Sequence, residues 1–326
     1  MSVKGDGVQK VAERLGALKN ALIVAHFNPD ADALGSTLGL SLGLASLGIK
    51  TAVLNESRIL PRYQFLAGAT EILSQPSDLN WEALLVVDCA DFRRIGDALS
   101  EQLKTLRPVI NIDHHYTNEM FGELNCVESS ASSSCEIVFD ILKALHAKFD
   151  PKIASCLLAG ISGDTGSFRY RSTSRRVFAV AEELVGLGAN PSAIGDALYG
   201  SKPASQVRLE ALALSKLELH AEGQVGAVVV TEDMYAACGA GPEDTENLVE
   251  LVRDIMGVQI AVMIRRDVNL WKVSLRAKGD CFNVADIAAS FGGGGHKAAA
   301  AFRYRRELEE LKPALLKAVC AEAQKK

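Results

Sequence analysis

Aspartate and histidine recur at four places in the N-terminal half of the chain, each at the end of a largely apolar run. His26, Asp30 and Asp32 lie in H-F-N-P-D-A-D, directly after A-L-I-V-A. Asp88 follows L-L-V-V, and Asp113, His114 and His115 follow V-I-N-I. Asp164 sits in G-D-T-G-S-F at residues 163–168. Brought together, Asp30, Asp32, Asp88 and Asp164 oppose one another's ionisation, and desolvation worsens the conflict. Two divalent cations would offset four carboxylates almost one for one. Oxygen and imidazole donors without thiolates favour Mn²⁺, Mg²⁺ or Fe²⁺ over structural zinc, and imidazole leans toward manganese. In Asp30-x-Asp32 the side chains diverge, so each can serve a different ion, and Pro29 stiffens the turn. Singly, each aspartate reads as an N-cap or loop residue. The four segments together point to metal.

Positioning such a cluster requires a sheet that delivers its strand ends to one edge. Residues 21–26, 51–54, 84–88 and 109–113 are short apolar runs of strand type, and residues 33–47 form a helical pattern between the first two. Continuous apolar runs separated by helices suit strands buried on both faces of a parallel sheet. In open α/β sheets ligands bind beyond the carboxyl ends of the strands, where these aspartates and histidines fall. Ser133-x-x-Glu136 reads as a capping box, Pro151 opens the next helix and residues 175–188 form another. The expected fold class is α/β, with an N-terminal doubly wound, mainly parallel sheet and a smaller C-terminal α/β domain. The Gly-, Pro- and Ser-rich stretch at 190–206 marks the boundary. The expected division is residues 1–195, a linker over 196–210, and a second domain over 211–326. In that second domain residues 226–230 read as a strand, 244–256 as a helix, 258–265 and 270–276 as a hairpin, and 283–290 as a short helix. A four-glycine loop at 292–295, a strand at 298–304 and a closing helix at 308–323 follow.

Composition sets the outer limits. The chain has 326 residues, 48% hydrophobic and 23% charged, with a formal charge of −5. That is the balance of an ordinary globular protein of about two domains, not of a basic protein that coats long nucleic acid. No run of about 18 uncharged apolar residues suggests a membrane span, and the polar start lacks the apolar stretch of a signal peptide. Seven cysteines, an odd number without a C-x-x-C pair, fit small buried hydrophobes in a reducing cytoplasm better than a disulfide framework.

Taken in order and spacing, H-x-N-P-D-x-D-A at 26–33, the lone Asp88, I-D-H-H at 112–115 and G-D-T-G-S-F at 163–168 resemble the four motifs of the DHH phosphoesterases. F-G-G-G-G-H-K-A-A-A-A-F at 291–302 resembles the glycine-histidine motif of the DHH-associated substrate-binding domain. The resemblance covers nearly the whole chain, and its compact form looks most like the bacterial oligoribonuclease and pAp phosphatase branch. It implies that His26, Asp30 and Asp88 hold one metal, and that Asp32, Asp88, His114 and Asp164 hold a second, with Asp88 bridging. It implies that His115 meets the scissile phosphate and that Asp113 orients its neighbours. It also implies that Arg276 and His296 hold the terminal phosphate and base of the substrate, beside Gly293, Gly294 and Gly295. A glycine run by itself lets backbone N–H groups approach an anion closely.

The expected activity is two-metal hydrolysis of short single-stranded oligoribonucleotides to mononucleotides, of pAp to AMP, or both. Mn²⁺ is the expected ion, with Mg²⁺ or Co²⁺ as alternatives. Long duplexes and membranes are not expected partners, and the resemblance suggests a homodimer. Cyclic or linear diadenylate hydrolysis is the competing activity, because the same site would cut pApA. A non-catalytic nucleotide sensor is the alternative of another class.

Overall fold

The computed structural model describes residues 6–200, 202–245, 247–279 and 281–325. Its contacts divide the chain into two units, Met1–Ser201 and Lys202–Lys326. In the first unit five short strands, β1 (Asn20–Val24), β2 (Lys50–Leu54), β3 (Leu84–Val87), β4 (Val109–Asp113) and β5 (Leu124–Val127), pair in parallel in the order 2-1-3-4-5. Among the described residues seven α-helices accompany them: α1 (Asp6–Gly16), α2 (Ala31–Ala45), α3 (Asp97–Leu103), α4 (Ser134–Ala144), α5 (Pro151–Asp164), α6 (Arg175–Gly186) and α7 (Pro191–Tyr199).

Strand side chains alternate between two cores. Ile23, Leu85, Val87, Ile110 and Ile112 join a core with residues of α1, α2, α4, α5 and α6. Leu22, Val24, Leu84, Val86 and Val109 join the opposite core, with Leu99 and Leu103 of α3. The sheet is thus covered on both faces, as the unbroken apolar strands require. Strand order reverses between β1 and β3, and the crevice such a reversal leaves lies at their carboxyl ends. His26 follows β1 and Asp88 follows β3.

The second unit begins with α8 (Ala204–Leu214). It continues through β6 (Glu218–His220), β7 (Val225–Val230), α9 (Glu232–Cys238), α10 (Leu248–Arg253), β8 (Ile260–Asp267) and β9 (Leu270–Ala277). It closes with α11 (Val284–Ser290), β10 (Gly294–His296), β11 (Ala299–Tyr304) and α12 (Leu308–Ala323). Its six-stranded sheet runs 10-11-9-8-7-6, antiparallel except between β7 and β8. Residues of α11 and α12 pack on one face, and residues of α8, α9 and α10 on the other.

Several expectations change. Residues 196–210, expected as a linker, are helical at both ends, with α7 stopping at Tyr199 and α8 starting at Ala204. The helix expected over 244–256 is only α10, preceded by a 3₁₀ turn at Pro242–Thr245. The glycine run is not a free loop, because Gly294–His296 pairs with β11 as an edge strand. A Cβ on Gly293 would strike Ala301 O and Phe302, and one on Gly295 would strike Ala299 O and Ala300. Those two glycines are needed for close packing against β11. Five cysteines are buried, but Cys281 is exposed and Cys320 half-exposed. Among the described residues no helix is long and apolar enough to cross a membrane.

A stripe of glycines seats α2 against its neighbours. Gly35, Gly39 and Gly43 recur every fourth residue and so share one helix face. A Cβ on Gly35 would strike Cys156 O of α5; one on Gly39 would strike Leu157, and one on Gly43 Leu142. From the other side, a Cβ on Gly160 would lie 2.8 Å from Asp32 Oδ1. Each glycine costs a helix about 1 kcal/mol relative to alanine, so the close approach must return more than that. We expect Gly35→Ala to lower the unfolding free energy by about 1–3 kcal/mol through overpacking. Gly195→Ala in α7, where a Cβ meets nothing within 4 Å, should gain up to about 1 kcal/mol. Urea denaturation reads both, and a gain at both positions would contradict the α2–α5 contact.

Candidate functional site

Just past β1 the backbone of His26 is pinned, since Asn55 Nδ2 donates to its carbonyl at 3.0 Å. His26 Nδ1 lies 3.0 Å from Phe27 O. A carbonyl only accepts, so Nδ1 carries the proton and Nε2 of the neutral ring presents a lone pair. That Nε2 is 3.5 Å from Asp88 Oδ2 and 3.9 Å from Asp30 Oδ1. Asp30 is also the N-cap of α2, its Oδ1 accepting from the N–H groups of Asp32 and Ala33 at 3.0 Å. Cap and site residue are here the same side chain.

Asp88 occupies the left-handed region, with φ 57°, a conformation aspartate tolerates better than most residues. Its N–H still donates to Ile112 O at 2.9 Å, so the turn leaves the ladder only after this residue. Its carboxylate faces two ways. Oδ2 faces His26, whereas Oδ1 is 3.5 Å from His114 Nε2. His114 Nε2 lies 3.2 Å from Asp164 Oδ2 and 3.9 Å from Asp32 Oδ2. Donor atoms of His26, Asp30 and Asp88 lie within 4.8 Å of one another, as do those of Asp32, His114 and Asp164. The structure therefore brings together all six residues expected as ligands, in two groups that meet at Asp88.

The N-terminus of α4 completes the pocket, and residue types alone did not reveal it. Asp32 is fully buried. Its Oδ2 accepts from the Ser134 N–H at 2.7 Å and its Oδ1 from the Cys135 N–H at 3.0 Å. Ser134 Oγ donates to Asp88 Oδ1 at 3.0 Å. A helix N-terminus offers unpaired N–H groups and partial positive charge, which suits buried carboxylates. The available signal was the capping motif itself. Ser133 Oγ accepts from the Glu136 N–H as expected, but Glu136 reaches back to Ser132 instead of to the cap residue.

Asp113 and His115 form a separate relay. Asp113 Oδ1 is 2.7 Å from His115 Nδ1, and Asp113 Oδ2 accepts from Asn118 Nδ2 at 2.6 Å. Asn118 in turn donates to Asn111 Oδ1 at 2.8 Å, and Asn111 is tied to the carbonyls of Val86 and Cys89. Asp113 lies close enough to Asp88 and His115 to form a third donor group. With both its oxygens engaged, it is placed to orient the imidazole.

Electrostatics agree with a cation-binding pocket. Burial pushes the Asp32 carboxyl well above the usual carboxylate range, and the charges of Asp88 and Asp164 add to it. Burial raises Asp164 as well, against the pull of His114. Burial would also raise Asp88, but the neighbouring imidazoles of His26, His115 and His114 hold it well below the usual range. His26 and His114 are raised, because the carboxylates outweigh the burial that opposes their charging. Without added positive charge the pocket takes up protons, so its oxygen and imidazole donors fit divalent cations.

In the second unit Arg276 on β9, Ala299 on β11 and His296 on β10 pair directly across the sheet. Arg276 and His296 therefore share a row on one face. Glu250 of α10 braces this end, 2.6 Å from Arg276 Nε and 2.7 Å from Arg253 Nη1.

Residues 20–161 match the DHH family, N-terminal domain, and residues 229–325 match the DHHA1 domain. The chain is 34% identical over 295 residues to the bifunctional oligoribonuclease and PAP phosphatase NrnA of Thermus thermophilus, covering 89% of this chain and 86% of that protein. Among solved structures, an exopolyphosphatase-related protein from Bacteroides fragilis matches with a TM-score of 0.89 at 25% identity, over 99% of this chain and 100% of that one. RecJ from Thermus thermophilus, solved with Mn²⁺, shares the fold with a TM-score of 0.60 at 17% identity, over 99% of this chain and 55% of that one. The motifs, the paired clusters and these matches agree: the chain belongs to the DHH family and carries a DHHA1 domain.

Proposed function

We propose that this chain is a metal-dependent phosphoesterase that hydrolyses short oligoribonucleotides to mononucleotides and pAp to AMP. The observation that carries the reading is the Asp88 carboxylate, with one oxygen toward His26 and the other toward His114. His26, Asp30 and Asp88 would hold one divalent cation, and Asp32, Asp88, His114 and Asp164 the other. Mn²⁺ suits the mixed donors best, with Mg²⁺ and Co²⁺ as substitutes. Bound there, the cations supply Lewis acidity to the scissile phosphate and acidify water for in-line attack.

The chain's own groups prepare the pocket for that chemistry. Phe27 keeps the proton on His26 Nδ1, so Nε2 remains a donor to a metal. The start of α4 fixes both Asp32 oxygens, and Ser134 fixes Asp88. His115, held at Nδ1 by Asp113, offers its other nitrogen to the phosphoryl oxygens. Arg276 and His296 hold the terminal phosphate and base of the substrate. Gly293 and Gly295 let β10 lie close against β11, which sets His296 in the row of Arg276. A formal charge of −5 that includes these buried aspartates leaves a nearly neutral remainder, in keeping with short substrates rather than duplexes. The reading is supported by the activity named for the Thermus relative and by the extent of that match.

The test is product analysis of 5′-phosphorylated oligoribonucleotides of graded length with Mn²⁺, beside pAp, pApA and pyrophosphate. Mononucleotides from the short oligomers and AMP from pAp are expected. Asp88→Asn should lower both rates by more than about 100-fold, beyond the usual cost of losing a ligand's supporting partner. Binding without turnover under Mn²⁺, Mg²⁺ and Co²⁺ would instead indicate a nucleotide sensor, and cleavage of pyrophosphate alone would also overturn the proposal. Asn118→Ala should lower kcat about 10–100-fold with KM little changed, since Asn118 holds the residue that orients His115. Steady-state kinetics showing an unchanged kcat would remove Asn118 and Asp113 from that role.

A further inference from the structure

Lys272 lies four residues before Arg276 on β9, so both side chains leave the sheet on the same face. The register sets Arg265 of β8 and Arg303 of β11 directly opposite Lys272, one on each side. Three cations thus form one row across three neighbouring strands, at the ~5 Å separation of paired side chains. Like charges directly opposed weaken a sheet. Arg265 is already engaged: it lies 3.5 Å from Asp267, donates to Pro242 O and Thr245 Oγ1, and is nearly buried. Among the described residues neither Lys272 nor Arg303 forms an ion pair. Burial, together with Arg265, Arg303 and Arg276, pushes the Lys272 ammonium down to about 8. Such a row is short of negative charge.

Between this row and that of Arg276, Ala299 and His296 lies a third, formed by Ser274, Ala301 and Gly294. It is small and uncharged. A Cβ on Gly294 would meet nothing within 4 Å, so packing does not account for the glycine there. The two cationic rows stand about 13 Å apart along β9, with this low floor between them. That span exceeds the gap between neighbouring phosphates of one strand and leaves room for a sugar and base over Ala301 and Gly294, Ser274 itself being buried.

We propose that Lys272 and Arg303, with Arg265 behind them, bind a second phosphate of a single-stranded oligonucleotide whose terminal phosphate is held by Arg276 and His296. The sheet face then forms a track that favours longer oligonucleotides over pAp. The proposal rests on the substrate reading given above for Arg276 and His296. It gives Lys272 and Arg303 a common ligand and Gly294 a reason to lack a side chain.

The experiment uses the full chain and fluorescein-labelled pentaribonucleotide, with EDTA present so that no turnover is needed. Anisotropy is measured at graded salt for wild type, Arg303→Met and the Lys272→Met/Arg303→Met pair, alongside thermal melts. The double variant should bind about tenfold more weakly, and its log K against log salt slope should fall by about 0.7, one single-strand phosphate contact. With Mn²⁺, the ratio of KM for the pentanucleotide to KM for pAp should rise about tenfold, as one phosphate contact is lost from the longer substrate only. Unchanged pentanucleotide binding and salt slope, or equal losses for both substrates, would overturn the track. Arg303 is exposed, so its single variant decides the matter by the same readouts if the double variant melts early. Loss of binding in a chain that cleaves neither substrate would leave the track standing and remove the proposed activity instead.

Discussion

Four aspartates share a pocket, Asp32 and Asp88 buried and Asp30 and Asp164 partly open to solvent, and their mutual repulsion is the constraint the first unit is built around. Three imidazoles and two helix N-termini reach them, but no lysine or arginine lies among the ion pairs described for these carboxylates. Burial and neighbouring charge drive Asp32 and Asp164 toward protonation, while Asp88 stays ionised against its burial. A cluster so arranged is poorly matched to protons alone, because Asp88 turns one oxygen to each half. Two divalent cations meet the charge and the geometry together.

The surrounding structure follows from holding that cluster still. Parallel strands whose order reverses between β1 and β3 bring His26 and Asp88 to one crevice. The left-handed turn at Asp88 aims its carboxylate into the pocket while its N–H stays in the ladder. The glycine stripe of α2 lets that helix sit against α5, and Gly160 leaves the room Asp32 occupies. The start of α4 then locks Asp32 with two backbone N–H groups. Loss of any one of these would leave the ligands present but misplaced, which for a metal site is nearly as damaging as losing a ligand.

The ligands were legible because each follows an apolar strand or helix, and that context is written in residue types. His26 after A-L-I-V-A and Asp88 after L-L-V-V needed only strand direction to be placed at one edge. The donors from Ser134 and Cys135 were not legible, because a backbone N–H has no residue type. β5 carries little sequence signal because L-N-C-V is short, partly exposed and broken by Asn125. The glycine run read as a loop because glycine weakens strand interiors. Its pairing with β11 depends on a close approach that only the partner strand reveals. Arg276 was identifiable by resemblance, but its brace, Glu250, comes from a helix 26 positions away and left no local trace.

The central claim is most directly tested by anomalous diffraction from crystals of the protein grown with Mn²⁺, which locates each ion without relying on activity. Two peaks are expected, one against His26 and Asp30 and the other against Asp32, His114 and Asp164, with Asp88 touching both. A single peak, no peak, or an Asp88 carboxylate that reaches only one ion would contradict the account.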